Sequence, residues 1–141
     1  MEMEAGVLRD VEFSADVVWG LISNFGNRDW SPTIEKVVVD GEGVGAVRWM
    51  YSAGSDKPCA ERLEAFDNDD MSMSYSIVEN SPLPLDDFLG TVKVSATGDN
   101  SCRVDWKAEG AAKGMSEGEV TELMQTIYNG IITAVETHLA Q

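Results

Sequence analysis

The chain has 141 residues, of which 43 % are hydrophobic and 25 % charged, and this length is sufficient to bury a core without metal or disulfide cross-links. It has 10 Lys and Arg against 25 Asp and Glu, a formal net charge of −15. A field of that sign repels nucleic-acid phosphates and anionic lipid surfaces, so neither is expected as a partner. The N-terminus has no signal-peptide pattern, and no apolar run approaches the roughly 20 residues of a membrane span. We therefore expect a single domain spanning 1–141, located in the cytoplasm, without stable membrane insertion.

A first helix is predicted from the stretch FSADVVWGLISNF near the N-terminus. Ser14 is a natural N-cap, and Asp16 suits the positive end of a helix. Apolar residues then recur at helical spacing, at Val18, Leu21, Ile22 and Phe25. One strand would precede this helix.

The middle of the chain alternates between apolar and polar residues. The stretch MSMSYSI is the clearest case, and CRVDWKAE and GTVKVSA repeat it. A period of two predicts antiparallel strands with one buried and one solvated face. Turn residues at Gly41, Gly43, 67–70 and 97–100 divide this region into about six strands.

A long helix is predicted at the C-terminal end. Ser116 and Glu119 have the spacing of a capping box, and apolar residues follow at helical spacing over roughly six turns. The order of strand, helix, several strands and long helix predicts an α+β fold, in which the long helix covers one face of a curved antiparallel sheet of about seven strands.

Several short motifs favour structural roles. The stretch GEGVG precedes the strand-like AVRWMY, whereas a phosphate-binding loop leads into a helix. The DNDD turn lacks the later Gly and Glu of a calcium loop. His138 has no Cys or second His at metal-ligand spacing, so no metal and no cofactor are expected. Cys59 and Cys102 are predicted to be buried free thiols.

Arg48 and Glu61 are the charged residues most suggestive of a site. By strand alternation, Glu61 shares a face with Leu63, and Arg48 shares a face with Met50. Two charges on the covered face of neighbouring strands would be costly unless they pair or meet water in a cavity. The alternative is that a bulge or a shift of register turns one of them outward.

The loop SPLPLDDF, residues 81–88, joins two predicted strands. A solvated hairpin turn uses Asn, Gly or Asp at its tip and would not expose Leu83 and Leu85 to water. We therefore expect the protein's own core, a partner or a bound ligand to cover these leucines.

The chain resembles the START-like (SRPBCC) superfamily, which has the helix-grip fold of the birch pollen allergen. The resemblance lies in ADVVWGLISNFGNRDW, ERLEAFD, YSIVENSPLPLDDFLGTVKV and GMSEGEVTELMQTIYNGIITAV, and it extends over nearly the whole chain. Within the superfamily the chain is similar to bacterial polyketide cyclase/dehydrase or lipid transport proteins, and these resemble the plant abscisic acid receptors. In the receptor-like members, the loops corresponding to 52–58 and 81–88 lie at the mouth of a cavity between the sheet and the long helix.

The resemblance implies a set of pocket residues. Most of them also lie on faces that alternation or helical periodicity predicts to be covered. The implied set is Glu61, Tyr75, Ile77, Leu85, Phe88, Gly90, Leu123, Ile127 and Ile131, with Arg48 close to Glu61. We add Trp30 and Trp106 as further aromatic lining residues.

The chain also departs from the hormone receptors. Asn27 stands where those receptors have a lysine that holds the ligand carboxylate, and the loop at 52–58 is shorter. Trp106 stands at a position that is polar in the receptors. Abscisic acid is therefore not expected as a ligand, and the cavity should be more apolar.

Three functional hypotheses follow. The first is the binding or carrying of a small apolar molecule of lipid, polyketide or isoprenoid type, with Arg48 and Glu61 orienting one polar group, by a monomer or weak dimer. The second is a polyketide cyclase or dehydratase, in which Glu61 acts as general acid or base and Tyr75 or Arg48 stabilises an enolate. The third is an adaptor that recognises a partner through its acidic surface.

Overall fold

The computed structural model describes residues 2–141. Seven strands and two helices follow one another along the chain. They are β1 (Glu2–Val11), α1 (Ala15–Ile22), β2 (Ile34–Asp40), β3 (Val47–Ser52), β4 (Cys59–Asp67), β5 (Ser72–Glu79), β6 (Leu85–Gly98), β7 (Ser101–Ala112) and α2 (Glu117–Leu139).

The strands form one antiparallel sheet in the order β1-β7-β6-β5-β4-β3-β2. From β2 to β7 each strand pairs with the next in the chain, and β1 adds to the far edge beside β7. The sheet is curved, and α2 lies against its concave face, which confirms the predicted α+β helix-grip fold. The pairing of β6 with β7 is irregular between Asp86 and Leu89, and such irregularities locally bend a strand.

Both helices begin as their sequences predict. The side chain of Ser14 accepts a hydrogen bond from the amide of Val17 at the start of α1. At the start of α2, Ser116 and Glu119 form a reciprocal capping box. These bonds satisfy backbone amides that have no partner within the helix, and therefore set the first residue of each helix.

The core lies between α2 and the sheet. From α2, Val120, Met124, Tyr128, Ile132 and Val135 are buried, and they belong to one hydrophobic cluster with apolar side chains of β1, β4 to β7 and α1. The side chain of Arg9 in β1 also contacts α2, because it donates hydrogen bonds to the side chains of Thr133 and Glu136. No helix within residues 2–141 combines the length and apolar character needed to cross a membrane.

Candidate functional site

A cavity of about 410 Å³ lies between the sheet and α2. The segment after α1, the inner faces of β3 to β6, the loop before β6 and one side of α2 form its wall. Its lining residues are Arg28, Ser31, Pro32, Thr33, Ile34, Met50, Ser52, Cys59, Glu61, Tyr75, Ile77, Pro82, Leu83, Phe88, Met124, Thr126, Ile127, Tyr128, Gly130, Ile131 and Ala134. Most of the wall is apolar, and the charged groups are few.

Arg48 and Glu61 form a buried ion pair beside this cavity. They face each other directly across β3 and β4, with 2 % and 8 % of their surface exposed. Arg48 donates from Nε and Nη2 to the same oxygen, Oε1 of Glu61, at 2.9 and 2.6 Å. The other carboxylate oxygen, Oε2, accepts no hydrogen bond from residues 2–141, while Glu61 itself lines the cavity.

The guanidinium of Arg48 has further partners that keep it behind the cavity wall. Its Nη1 donates to the carbonyl oxygen of Phe25 at 3.3 Å. The group also lies over the ring of Phe25, at 4.2 Å from the centroid, and at 5.6 Å from that of Tyr75. These contacts hold the positive charge in one orientation, so that Arg48 in turn fixes the carboxylate of Glu61.

Arg28 is a second cation at the cavity, brought there by the segment between α1 and β2. Its Nη1 lies 3.7 Å from the sulfur of Met50, and its guanidinium lies 4.6 Å from the ring centroid of Trp30. Its Nε is buried without a hydrogen-bond partner. Burial lowers the pKa of Arg28 to about 10, and the charge of Arg48 adds to this effect while Glu61 opposes it.

Three aromatic side chains connect the sheet to α2: Tyr75 and Tyr128 belong to the cavity wall, and Trp106 lies behind Tyr75. Trp106 of β7 donates from Nε1 to the hydroxyl of Tyr75 at 2.8 Å. The rings of Trp106 and Tyr128 stack with centroids 5.5 Å apart. Burial raises the pKa of the Tyr75 hydroxyl to about 12, and Glu61 adds to the rise. Both tyrosines therefore stay protonated at neutral pH, because burial also raises the pKa of Tyr128.

Gly90 of β6 makes room for the ring of Tyr75. The two residues lie directly opposite each other in the sheet. A Cβ atom on Gly90 would stand 2.6 Å from Cζ of Tyr75 and 2.9 Å from Cζ of Phe88, closer than carbon atoms can pack. Because Gly90 has no side chain, the rings of Tyr75 and Phe88 can both lie directly against its backbone.

The structure divides the predicted site residues into two groups. Six of them lie in the cavity wall, namely Glu61, Tyr75, Ile77, Phe88, Ile127 and Ile131. The others lie elsewhere. Arg48, Trp106 and Gly90 support wall residues from behind, Leu85 is buried in the core, Trp30 packs on Arg28 beside a neighbouring depression, and Leu123 lies beside a different depression on α2.

The loops 53–58 and 81–84 flank the cavity. Ser52 and Cys59 at the ends of the first loop, and Pro82 and Leu83 in the second, belong to its wall. Leu83 is half-buried against the core and borders the cavity, whereas Leu85 begins β6 and is buried in the core, so the protein's own core covers both leucines at least in part.

Sequence reasoning missed several wall residues. Arg28, Met50, Met124 and Tyr128 all line the cavity, and none of them was predicted to do so. Tyr128 was recognisable as part of the apolar face of α2, but periodicity does not distinguish a residue facing the core from one facing a cavity. Arg28 lies in a loop, where no periodicity applies.

The chemistry available in the cavity is acid–base and electrostatic. Within residues 2–141 no three His, Cys, Asp or Glu side chains are grouped so that they could hold a metal ion. His138 lies near the end of α2, beside a different depression from the one that contains Glu61. Cys59 and Cys102 are both free thiols, and Cys102 is buried as predicted, whereas Cys59 is only half-buried because it borders the cavity.

A family model described as "Polyketide cyclase / dehydrase and lipid transport" matches residues 5–140. The chain belongs to this family. Together with the structural likenesses that follow, the match places it in the START-like (SRPBCC) superfamily, as the sequence motifs predicted. No curated protein sequence matches the chain.

Solved structures with the same architecture include two Bacillus proteins. An uncharacterized protein from Bacillus thuringiensis is 27 % identical, with a TM-score of 0.86 over 99 % of this chain and 100 % of that one. The protein XoxI from Bacillus cereus is 28 % identical, with a TM-score of 0.83 over 96 % and 94 %. Norcoclaurine synthase from Thalictrum flavum, solved in complex with dopamine and hydroxybenzaldehyde, is 22 % identical, with a TM-score of 0.77 over 99 % and 87 %. At that identity the synthase shows a shared fold only.

Proposed function

We propose that this family member binds and carries a small, mainly apolar molecule with one polar group, of lipid, polyketide or isoprenoid type. It would do so in the cytoplasm, as a monomer or weak dimer. The observation that carries the proposal is the apolar lining of the cavity between the sheet and α2, because an apolar ligand that enters it removes apolar surface from water.

The size and lining of the cavity support this function. Its volume of about 410 Å³ lies within the range of about 300 to 1,000 Å³ that is typical of small-molecule sites. Most of its wall is apolar, as at Ile77, Phe88, Ile127 and Ile131, and Glu61 is one of the few charged groups in it. Sites with this anatomy bind the body of a ligand by burial and orient it through one or two polar contacts.

The test is to fill the cavity and measure binding of a neutral fluorescent probe, N-phenyl-1-naphthylamine. Ile127→Trp places an indole in the cavity and should weaken binding at least about tenfold, while filling an existing space avoids much of the strain of about 1 to 3 kcal/mol that overpacking causes in a solid core. Leu123→Trp is the matched control, because Leu123 lies one turn earlier on α2 and outside the cavity wall. Equal binding by both variants and the parent would contradict the proposal.

Native mass spectrometry provides an independent test. Protein purified without detergent should carry a co-purified apolar molecule, and its mass would identify the ligand class. The Ile127→Trp variant should be free of that mass, whereas Leu123→Trp should keep it.

One observation favours a second function, the cyclase or dehydratase. Arg48 occupies only Oε1 of Glu61, so Oε2 remains available as a base towards a molecule in the cavity. The hydroxyl of Tyr75 lies in the same wall and is protonated at neutral pH, so it could donate to a developing enolate oxygen. Turnover of a polyketone mimic that is lost in Glu61→Gln would support the enzyme, whereas probe binding without turnover supports the carrier.

A further inference from the structure

Arg28 is a cavity-lining cation that the protein does not neutralise. Within residues 2–141 no carboxylate oxygen lies within 4.0 Å of its guanidinium, whereas Arg48 is paired with Glu61. The contacts of Arg28 are to the sulfur of Met50 and the ring of Trp30, and neither carries a charge. One side of the cavity therefore presents a guanidinium whose hydrogen-bonding capacity is mostly unused.

The local charge count is positive although the whole chain is strongly negative. Glu61 is the only carboxylate among the residues that form the cavity wall. Both short bonds from Arg48 end on Glu61, so that pair is neutral. Arg28 is left as one excess positive charge at the cavity of a chain whose formal net charge is −15.

The interactions of Arg28 with its charged neighbours point the same way. Burial is the main cause that lowers the pKa of Arg28, and the nearby charge of Arg48 adds to it while Glu61 opposes it. The group nevertheless stays protonated at neutral pH, since its pKa remains about 10. A partly buried guanidinium whose Nε has no hydrogen-bond partner is stabilised by an anion that reaches it from the cavity.

We propose that the ligand is an apolar carboxylic acid, with its carboxylate on Arg28 and its apolar body along Phe88, Ile127 and Ile131. A single excess positive charge matches a single negative charge, whereas a phosphate dianion would leave a second charge unpaired and close to Glu61. The planar guanidinium also matches a carboxylate in shape. This inference rests on the proposed binding function and adds the chemical class of its ligand.

The experiment compares acids with the alcohols that share their carbon skeletons. Decanoate and decan-1-ol, and separately 1-naphthoate and 1-naphthalenemethanol, compete with N-phenyl-1-naphthylamine for the protein at pH 7.5. In at least one pair the acid should bind about 10- to 100-fold more tightly than the alcohol, which is the usual effect of a hydrogen bond to a charged group. A preference in the first pair only indicates an aliphatic acid, and in the second pair only an aromatic acid.

Two variants attribute the preference to Arg28. In Arg28→Met the acid and the alcohol should bind within about twofold of each other, because the cation is gone while the apolar wall remains. In Arg28→Lys part of the preference for the acid should remain, because the charge is kept. Arg103→Met is the matched control, since Arg103 is an exposed arginine on the outside of the sheet, and it should keep the full preference.

The outcomes separate this inference from the function on which it rests. If the parent protein binds the neutral probe and both alcohols but prefers neither acid, the carboxylate inference is wrong and the binding function stands. If neither the probe nor any competitor binds, both fail. A preference for acids that survives in Arg28→Met also overturns the assignment to Arg28. Should Arg28→Met not fold, the acid-to-alcohol ratios of the parent and of Arg28→Lys still decide the matter.

Discussion

Removing either partner of the Arg48–Glu61 pair should destabilise the protein strongly. Arg48→Met leaves the carboxylate of Glu61 without its two short hydrogen bonds, and Glu61→Gln leaves the guanidinium of Arg48 without a counter-charge. Both residues are more than nine-tenths buried, so water replaces the lost partner far less effectively than it does on a surface. Each single substitution therefore measures the cost of leaving one member of the pair buried without its partner.

The expected cost is about 3 to 5 kcal/mol for a fully buried pair. Glu61 lines the cavity, where water can partly solvate a carboxylate left behind, and this reduces the cost of Arg48→Met. The same substitution also removes the contacts of the guanidinium with the rings of Phe25 and Tyr75, worth about 0.5 to 2 kcal/mol. Glu61→Gln keeps those contacts and an acceptor for Arg48, so its cost should lie towards the lower end.

The double variant should be more stable than the sum of the single effects predicts, because it contains no uncompensated charge. A coupling of about 1 to 3 kcal/mol is expected, measured by urea unfolding followed by tryptophan fluorescence. Arg103 and Asp10 provide the control, since they too face each other across neighbouring strands and are bonded at 2.8 Å, but with 49 % and 67 % of their side chains exposed. Arg103→Met and Asp10→Asn should each cost no more than about 1 kcal/mol.

Binding of a neutral probe with a hydroxyl group, 1-naphthalenemethanol, adds a second measurement. The double Arg48, Glu61 variant should bind it less tightly, because the carboxylate of Glu61 at the cavity wall is lost. The reasoning would be refuted if each single substitution left the free energy of unfolding unchanged and the double variant showed no coupling. That result would mean that water solvates both side chains.

The loops 53–58 and 81–84 should exchange amide hydrogens faster than β4 and β5, because they are rich in Gly and Pro and make few backbone hydrogen bonds. Equal protection of loop and strand amides would argue against a moving lid. Gly90→Ala should displace the ring of Tyr75 and cost stability, since the added Cβ would stand 2.6 Å from that ring, and near-ultraviolet circular dichroism should change with it. Iodoacetamide at pH 8 should modify Cys59 far more slowly in folded than in urea-unfolded protein, as shown by peptide mass mapping, because burial and Glu61 raise its pKa to about 12. Stability should accordingly fall as pH rises from 9 towards 12, since the unfolded thiol ionises first, and a flat profile would contradict this.

Much of the fold could be predicted because its signals are local. Alternation in β5 places Met73 and Tyr75 on the buried face, and the structure buries both. The capping residues Ser14 and Ser116 mark where the two helices begin. A strand or an amphipathic helix needs only the right spacing of side chains to establish which face is covered, and that spacing is visible in the sequence.

Alternation also placed Arg48 and Glu61 on the covered face, and the energetic cost of burying charges indicated that they should pair or meet water in a cavity. What alternation could not supply was the register that sets the two residues directly opposite each other. It likewise could not show that both bonds from Arg48 end on one oxygen and leave the other free.

The sequence by itself determined the secondary structure, the family and the faces that are covered. Only the tertiary structure decided which covered residues enclose the cavity. Leu123 and Ile127 follow the same helical pattern, yet only Ile127 lies in the cavity wall. Which of the two residues faces the cavity depends on how α2 crosses the sheet. Arg28 reaches the cavity from a loop, and Trp106 stands behind Tyr75 instead of in the wall. Such placements arise from contacts between residues far apart in the chain, and no periodicity within a single segment encodes them.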